Sequence, residues 1–298
     1  MTDRLTSMSM LVACVDAGSL SAGARKLGLP LATVSRRVAD LETHLGAALL
    51  NRSVRGLTLT DSGAAYVAAC RRVLDDVAEA ERIASGEFVA PRGLLQLSAP
   101  IVFGRLHVLP VVTAFLQAYP EVDVRLDQTD RTINLHEDHI DAAVRIGNLP
   151  DSTLKARRIG YVRRVVCASP AYLAQRRAPG DPQDLADHDC ISFETLRPGT
   201  RWTFDTDGET STVQIRPRLT VTTAEAAVDA AVAGAGVTRV LSYQVARAVA
   251  AGQLVVLLDA HERAPWPVNL VYRAGPVPRK LRAFIDFAAP RLDAVLRP

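Results

Sequence analysis

Residues 21–45 read SAGARKLGLPLATVSRRVADLETHL, and the fold turns on how this stretch is parsed. Ser21 is a candidate N-cap for a short helix over 22–27, which Gly28 ends. Leu29 and Pro30 carry a turn, and Pro30 suits the first position of a second helix. There Val34, Val38, Leu41 and Leu45 recur at steps of four, three and four, the spacing of one buried face. Thr33, Arg36, Arg37, Asp40 and His44 take the opposite side. Two short helices around a tight turn make a helix-turn-helix, whose second helix fits the major groove of DNA. An ordinary helical hairpin with a solvated basic edge has the same pattern, so the flanking residues carry weight.

Working outward, Leu49–Arg52 and Leu57–Thr60 read as strands around Ser53-Val54-Arg55-Gly56. This is a β-hairpin wing with Arg52 and Arg55 near its tip. From Arg25 to Arg55 six basic residues stand against Asp40 and Glu42, a net of +4, whereas the entire chain carries +3. Positive charge is therefore concentrated where a groove reader needs it. Upstream, a helix over 5–17 places Leu5, Met8, Leu11, Val12 and Val15 on one face to cover the pair.

These residues resemble the LysR-type transcriptional regulators. The likeness runs through Gly18-Ser19-Leu20-Ser21, Ala24, Leu27, Val34-Ser35-Arg36, Leu41-Glu42, Leu45-Gly46, Leu49-Leu50, Arg52, Leu59-Thr60 and Gly63, and continues over the rest of the chain. It implies that Ser21, Arg25, Thr33, Ser35, Arg36 and Arg37 read or flank base edges while Arg52 and Arg55 hold phosphates. The family commonly has a polar residue where this chain has Leu31. A contact from Leu31 is therefore apolar, as to a thymine methyl.

After the wing, Thr60 caps a long helix from Asp61 to about Ser85. Val67, Cys70, Leu74, Val77, Glu81 and Ala84 alternate by three and four, a heptad seam that pairs with its copy in a second chain; packing on its own domain is the alternative. Residues 86–93 (GEFVAPRG) form a hinge, after which strand and helix segments alternate, an α/β pattern with a mainly parallel sheet. These include a helix over 102–119 with Leu106, Leu109, Val112 and Phe115 on its face, a short helix past Leu135, and a final helix over 280–296.

The expected architecture is a winged helix-turn-helix at 1–60 and a linker and dimerisation helix with hinge at 61–91. The resemblance implies a two-lobed, periplasmic-binding-protein-like α/β domain at 92–298, with lobe I at 92–162 plus 268–298 and lobe II at 163–267. Ligands of such folds bind at the carboxyl ends of the strands, between the lobes. Ser98-Ala99-Pro100 and Thr222-Thr223-Ala224-Glu225 each pass from strand to helix start. Free amides there favour a small anionic effector, with Thr222 and Glu225 as a capping box. Ser98, Pro100, Ile101, Arg145, Gly147, Phe193, Thr222, Thr223 and Val237 are the lining candidates.

Other chemistry finds little footing. His136-Glu137-Asp138-His139 reads as an exposed charged turn in preference to a metal cluster. Gly234-Ala235-Gly236 is not a dinucleotide fingerprint, and no P-loop or GxSxG motif occurs, so neither cofactor nor metal nor enzymatic activity is expected. Cys14, Cys70, Cys167 and Cys190 lack metal-finger spacing and read as buried thiols, with a Cys167/Cys190 redox pair as the alternative. No apolar run approaches the ~18 residues of a membrane span, and the N-terminus lacks a signal peptide's pattern, so a cytoplasmic location is expected. The function expected is a sequence-specific regulator on an interrupted inverted repeat of double-stranded DNA. It acts as a homodimer or homotetramer, switched by a small effector, and contacts RNA polymerase if an activator. A small-molecule binding protein with an accessory helical domain is the rival.

Overall fold

The computed structural model describes residues 4–53, 56–85, 90–131, 133–135, 137–149, 153–193, 200–206, 209–262 and 264–296. The chain divides into two compact units, Met1–Val89 and Ala90–Pro298.

In the first unit α1 (Arg4–Asp16), α2 (Leu20–Leu27) and α3 (Leu31–Leu45) precede the antiparallel strands β1 (Leu50–Ser53) and β2 (Gly56–Leu59), and α4 (Asp61–Ser85) follows. Leu11, Val38, Leu41, Leu49, Leu50 and Val67 form one core, and Met10, Cys14, Ala24 and Val34 another. Leu45 departs from the expected face: at the end of α3 it is 38% exposed. So is Leu5 on α1, where Ser7 and Met10 take buried places. Val67 and Cys70, expected on a dimer seam, are instead buried in this unit, where α4 packs on α1.

The second unit holds two five-stranded sheets. Lobe I contains β3 (Gly93–Ala99), α5 (Ile101–Ala118), β4 (Val122–Gln128), β5 (Ala142–Ile146) and β6 (Leu154–Val162). Lobe II contains β7 (Arg164–Ala168), α6 (Pro170–Gln175), β8 (Asp189–Phe193), the hairpin β9 (Arg201–Thr206) and β10 (Glu209–Gln214), β11 (Arg216–Val221), α7 (Ala224–Val232), β12 (Val237–Leu241), α8 (Ser242–Ala250) and β13 (Val255–Leu257). The chain then returns to lobe I as β14 (Trp266–Arg273) and α9 (Arg279–Leu296). Strand orders are β4-β3-β5-β14-β6 and β11-β8-β12-β7-β13. Each sheet has four strands running one way and a single reversed strand, β14 in lobe I and β7 in lobe II, so the mainly parallel expectation holds although half of the strand pairings are antiparallel. The reversed strands are those leaving the crossovers between lobes.

α5 has the length and mean hydropathy (1.6 over 18 residues) of a membrane span, contrary to the reading of the sequence. It is the core helix of lobe I: Phe103, Val108, Val111, Val112 and Phe115 are buried among Leu95, Leu270 and Phe284. A π-helical turn over Gly104–Val108 adds a residue to the winding. Leu106 and Leu109, expected on the buried face, are thereby rotated outward. Leu135, where a short helix is expected, is buried in a turn, with no helix among the described residues around it.

Candidate DNA-binding surface and effector cleft

The turn between α2 and α3 is held at both ends. Ser19, not Ser21, caps α2 by accepting the Ala22 N–H (3.0 Å), because the helix begins at Leu20; Ser21 is exposed in the first turn. Gly28 ends α2 at φ 66°, a left-handed conformation natural to glycine. Pro30 is the residue before α3 and not its first position. α3 buries Val34, Val38 and Leu41 and turns Leu31 (49% exposed) and Arg36 to the surface, with Thr33, Ser35 and Arg37 half-buried. Arg25 is exposed at the end of α2. Side-chain positions of Arg52 and Arg55 on the wing, and of Ala84 on α4, lie outside the described residues.

One feature of this unit escapes sequence patterning. Glu42, counted as a charge opposing DNA, points under the wing and accepts the N–H groups of Leu49 (2.8 Å) and Leu50 (3.1 Å). It fixes the wing to α3 by charge-assisted hydrogen bonds. Thr60 caps α4 as expected, accepting the Gly63 N–H at 2.9 Å.

In the second unit Arg105, one turn into α5, meets Glu225, the second residue of α7, at 2.9 Å. This ion pair brings together the two helix starts that the sequence singles out, Ser98-Ala99-Pro100 in lobe I and Thr222-Thr223 in lobe II. The detail differs from expectation. Ile101 N–H is not free, since it donates to Asp130 Oδ1 at 3.1 Å. Burial, with Glu225 nearby, raises the Asp130 carboxyl above the usual range although that N–H bond opposes the shift. Burial also raises the Tyr243 hydroxyl, with Asp130 and Glu225 adding to it. Arg105, Asp130 and Tyr243 thus stand around these two helix starts, and no periodicity pointed to them.

Thr223, not Thr222, caps α7 by accepting the Ala226 N–H (3.3 Å), because the helix starts one residue later than the capping box requires. Thr222 is exposed and Ser98 is buried at the end of β3. Arg145 is half-buried with its guanidinium on the Ile133 carbonyl, and Gly147 donates its N–H to Pro267 O at 2.9 Å. Phe193 packs against the α7/α8 side of lobe II. Val237 cannot line a cleft: it is fully buried on the opposite face, under the β9–β10 hairpin.

The redox pairing also fails on geometry. β12 lies between β7 and β8, with Thr238 opposite Cys167 and Val237 opposite Cys190. Two interstrand spacings make roughly 9.5 Å, beyond the ~7 Å a disulfide spans. The two thiols face different cores, and burial pushes each up to about 12.

Two family models match the chain: "Bacterial regulatory helix-turn-helix protein, lysR family" over residues 5–64 and "LysR substrate binding domain" over 89–293. The chain is a LysR-type transcriptional regulator. It is 36% identical to an HTH-type transcriptional repressor of Pseudomonas aeruginosa over 96% of this chain and 91% of that one. It is 34% identical to the regulator CrgA of Neisseria meningitidis over 96% of both chains. The structure of CrgA superposes with a TM-score of 0.62 at 32% identity, covering 96% of this chain and 98% of that one. The full-length virulence activator AphB of Vibrio cholerae gives 0.61 at 28% identity, covering 95% and 98%. As a LysR-type regulator the chain has a DNA-binding helix-turn-helix and an α/β regulatory domain, and it is not an enzyme. The rival reading, a binding protein with an accessory helical domain, falls with this assignment.

Proposed function

We propose that residues 1–60 read an interrupted inverted repeat in DNA, that 61–91 join two chains, and that 92–298 bind the controlling effector between their lobes. The exposed side of α3 carries this reading: Leu31 and Arg36 stand at the surface while Val34, Val38 and Leu41 are buried. Thr33, Ser35, Arg36 and Arg37 then lie at base edges, with Ser21, Arg25, Arg52 and Arg55 on the flanking backbone. Leu74 and Val77, half-buried on α4, supply the dimer contact. A dimer of such dimers, RNA polymerase contact in activation and a cytoplasmic location complete the proposal.

The effector seats its polar group among Ile101, Asp130, Thr222 and Thr223. An anion at Ile101 N–H must displace Asp130 or meet it protonated, so anionic effectors gain affinity on acidification. The experiment is fluorescence anisotropy against the DNA upstream of the chain's own gene, over a salt series. The double variant Arg36→Ala/Arg37→Ala is expected to weaken binding at least tenfold and to relax base discrimination, with the salt slope still set by the flanking backbone contacts. Unchanged affinity refutes the assignment of α3.

A further inference from the structure

A cavity of about 1180 Å³ lies where the lobes join, lined by the end of β6, the first turns of α8, the end of α9 and both crossovers. Of the residues placed around the effector cleft it shares Tyr243 alone. Its form follows from an irregularity in β6. Val268 on β14 pairs with Gly160 but the next residue, Asn269, pairs with Arg158, so Ile159 is an extra residue in a bulge. Gly160 sits at φ 142°, and a Cβ there would come within 2.5 Å of Leu296 Cβ. The end of α9 therefore rests directly on the β6 backbone, and the bulge leaves Arg158 and Tyr161 outward on either side.

The lining is amphipathic. Tyr161 (47% exposed) and Val295 (55% exposed) are among the most exposed large apolar side chains of the protein, and both face this one concavity. Tyr243, Ala246 and Leu296 extend the apolar wall. Two guanidiniums, Arg158 and Arg163, stand against one carboxylate, Asp293. Arg163 is ion-paired with Asp259 at 2.7 Å, whereas Arg158 lies 5.2 Å from the Tyr161 ring centroid and makes no ion pair among the described residues. A cavity of this size holds a drug-sized ligand, with apolar walls giving affinity and one charged group fixing orientation.

We propose that this cavity is a second small-molecule site, for an amphipathic anion: an aromatic or aliphatic body against Tyr161, Tyr243 and Leu296, with one carboxylate or sulfonate on Arg158. Because its walls come from both lobes and both crossovers, an occupant fixes the angle between lobes. It thereby biases the regulator independently of a ligand in the cleft.

The test is a fluorescence titration of the full chain with 8-anilinonaphthalene-1-sulfonate, beside N-phenyl-1-naphthylamine, which has the same apolar body without the sulfonate. The sulfonate is expected to saturate at one per chain. Arg158→Glu, at an exposed position that leaves folding intact, weakens it at least tenfold and leaves the neutral amine within twofold. Ala246→Trp, which sets an indole against the apolar wall, weakens both signals, while Thr222→Trp in the cleft changes neither. Binding that does not saturate, or an unchanged sulfonate affinity in Arg158→Glu, overturns the proposal. So does loss of the signal in Thr222→Trp, which places the probe in the cleft.

Discussion

Arg239→Met is expected to be among the most damaging single substitutions in the regulatory unit. Arg239 on β12 and Glu262 on the second crossover are each only 3% exposed at the side chain. The guanidinium donates Nε to Glu262 Oε1 (2.8 Å) and Nη2 to Glu262 Oε2 (2.7 Å) and to Thr203 O (2.9 Å), and it stacks 4.4 Å from the Phe204 ring centroid. Removing it strands a buried carboxylate, a loss of about 3–5 kcal/mol. At about 2–4 °C per kcal/mol for a unit of this size, the unfolding midpoint falls by roughly 6–20 °C. Arg239 Nη1 is buried without a hydrogen-bond partner among the described residues, so the native pair is itself imperfectly satisfied. The double variant Arg239→Met/Glu262→Met should therefore recover to within about 1 kcal/mol of the native chain. Urea unfolding followed by tryptophan emission reads this directly, since Trp202 and Trp266 both lie in the second unit. A single variant costing under about 1 kcal/mol, or a double variant no better than the single, refutes the reasoning.

Gly63→Ala should destabilise the first unit by about 2 kcal/mol and weaken DNA binding. A Cβ at that position would lie 1.9 Å from the Leu49 carbonyl oxygen, so α4 must lift off the wing, and far-UV dichroism with a gel shift checks both effects. Burial holds His107 and His188 below the ordinary histidine value, Arg176 adding to the shift at His188. The unfolded chain therefore takes up protons first as pH falls through about 6.5, and stability present above that value is lost below it. The urea midpoint should drop less between pH 7.5 and 5.5 in His107→Gln/His188→Gln than in the native chain, and an equal drop refutes the assignment. Arg105→Ala breaks an exposed inter-lobe pair and should cost under about 1 kcal/mol while widening the inter-lobe distribution seen by X-ray scattering.

The helix-turn-helix was legible because its signals are local. The apolar steps of α3, a glycine after α2 and a hydroxyl before α4 each act within one or two turns of chain. Where the reading slipped there, as at Ser21 and Pro30, it slipped by one or two residues between neighbours competent for the same role. The regulatory unit was less legible for a different reason. β6, β9 and β10 went unread because none carries a long apolar run: β6 exposes Lys155 to Arg158 in succession, and the β9–β10 hairpin gains its place through Trp202, Phe204 and Val213 packing on lobe II. The π-helical turn in α5 shifts the buried face by a residue, which a fixed 3.6-residue period cannot anticipate. Among the cleft residues, Asp130 stands outside any motif, and its role exists only because β4 ends beside the start of α5.

The ties between the lobes differ in strength in a way that bears on switching. Glu262 pins the second crossover to the body of lobe II through a buried pair, and Arg163 to Asp259 joins the two crossovers at 2.7 Å. Arg164 lies 4.1 Å from the Trp266 ring centroid, setting the first strand of lobe II against the strand that returns to lobe I. Across the cleft the corresponding tie is Arg105 to Glu225, both substantially exposed, worth about 1 kcal/mol at most. A ligand that prefers one lobe angle tenfold contributes about 1.4 kcal/mol, enough to override that pair and far short of what would loosen Glu262. The exposed Arg105–Glu225 pair is thus the tie between the lobes that a preference of that size overcomes, while the buried Arg239–Glu262 pair withstands it.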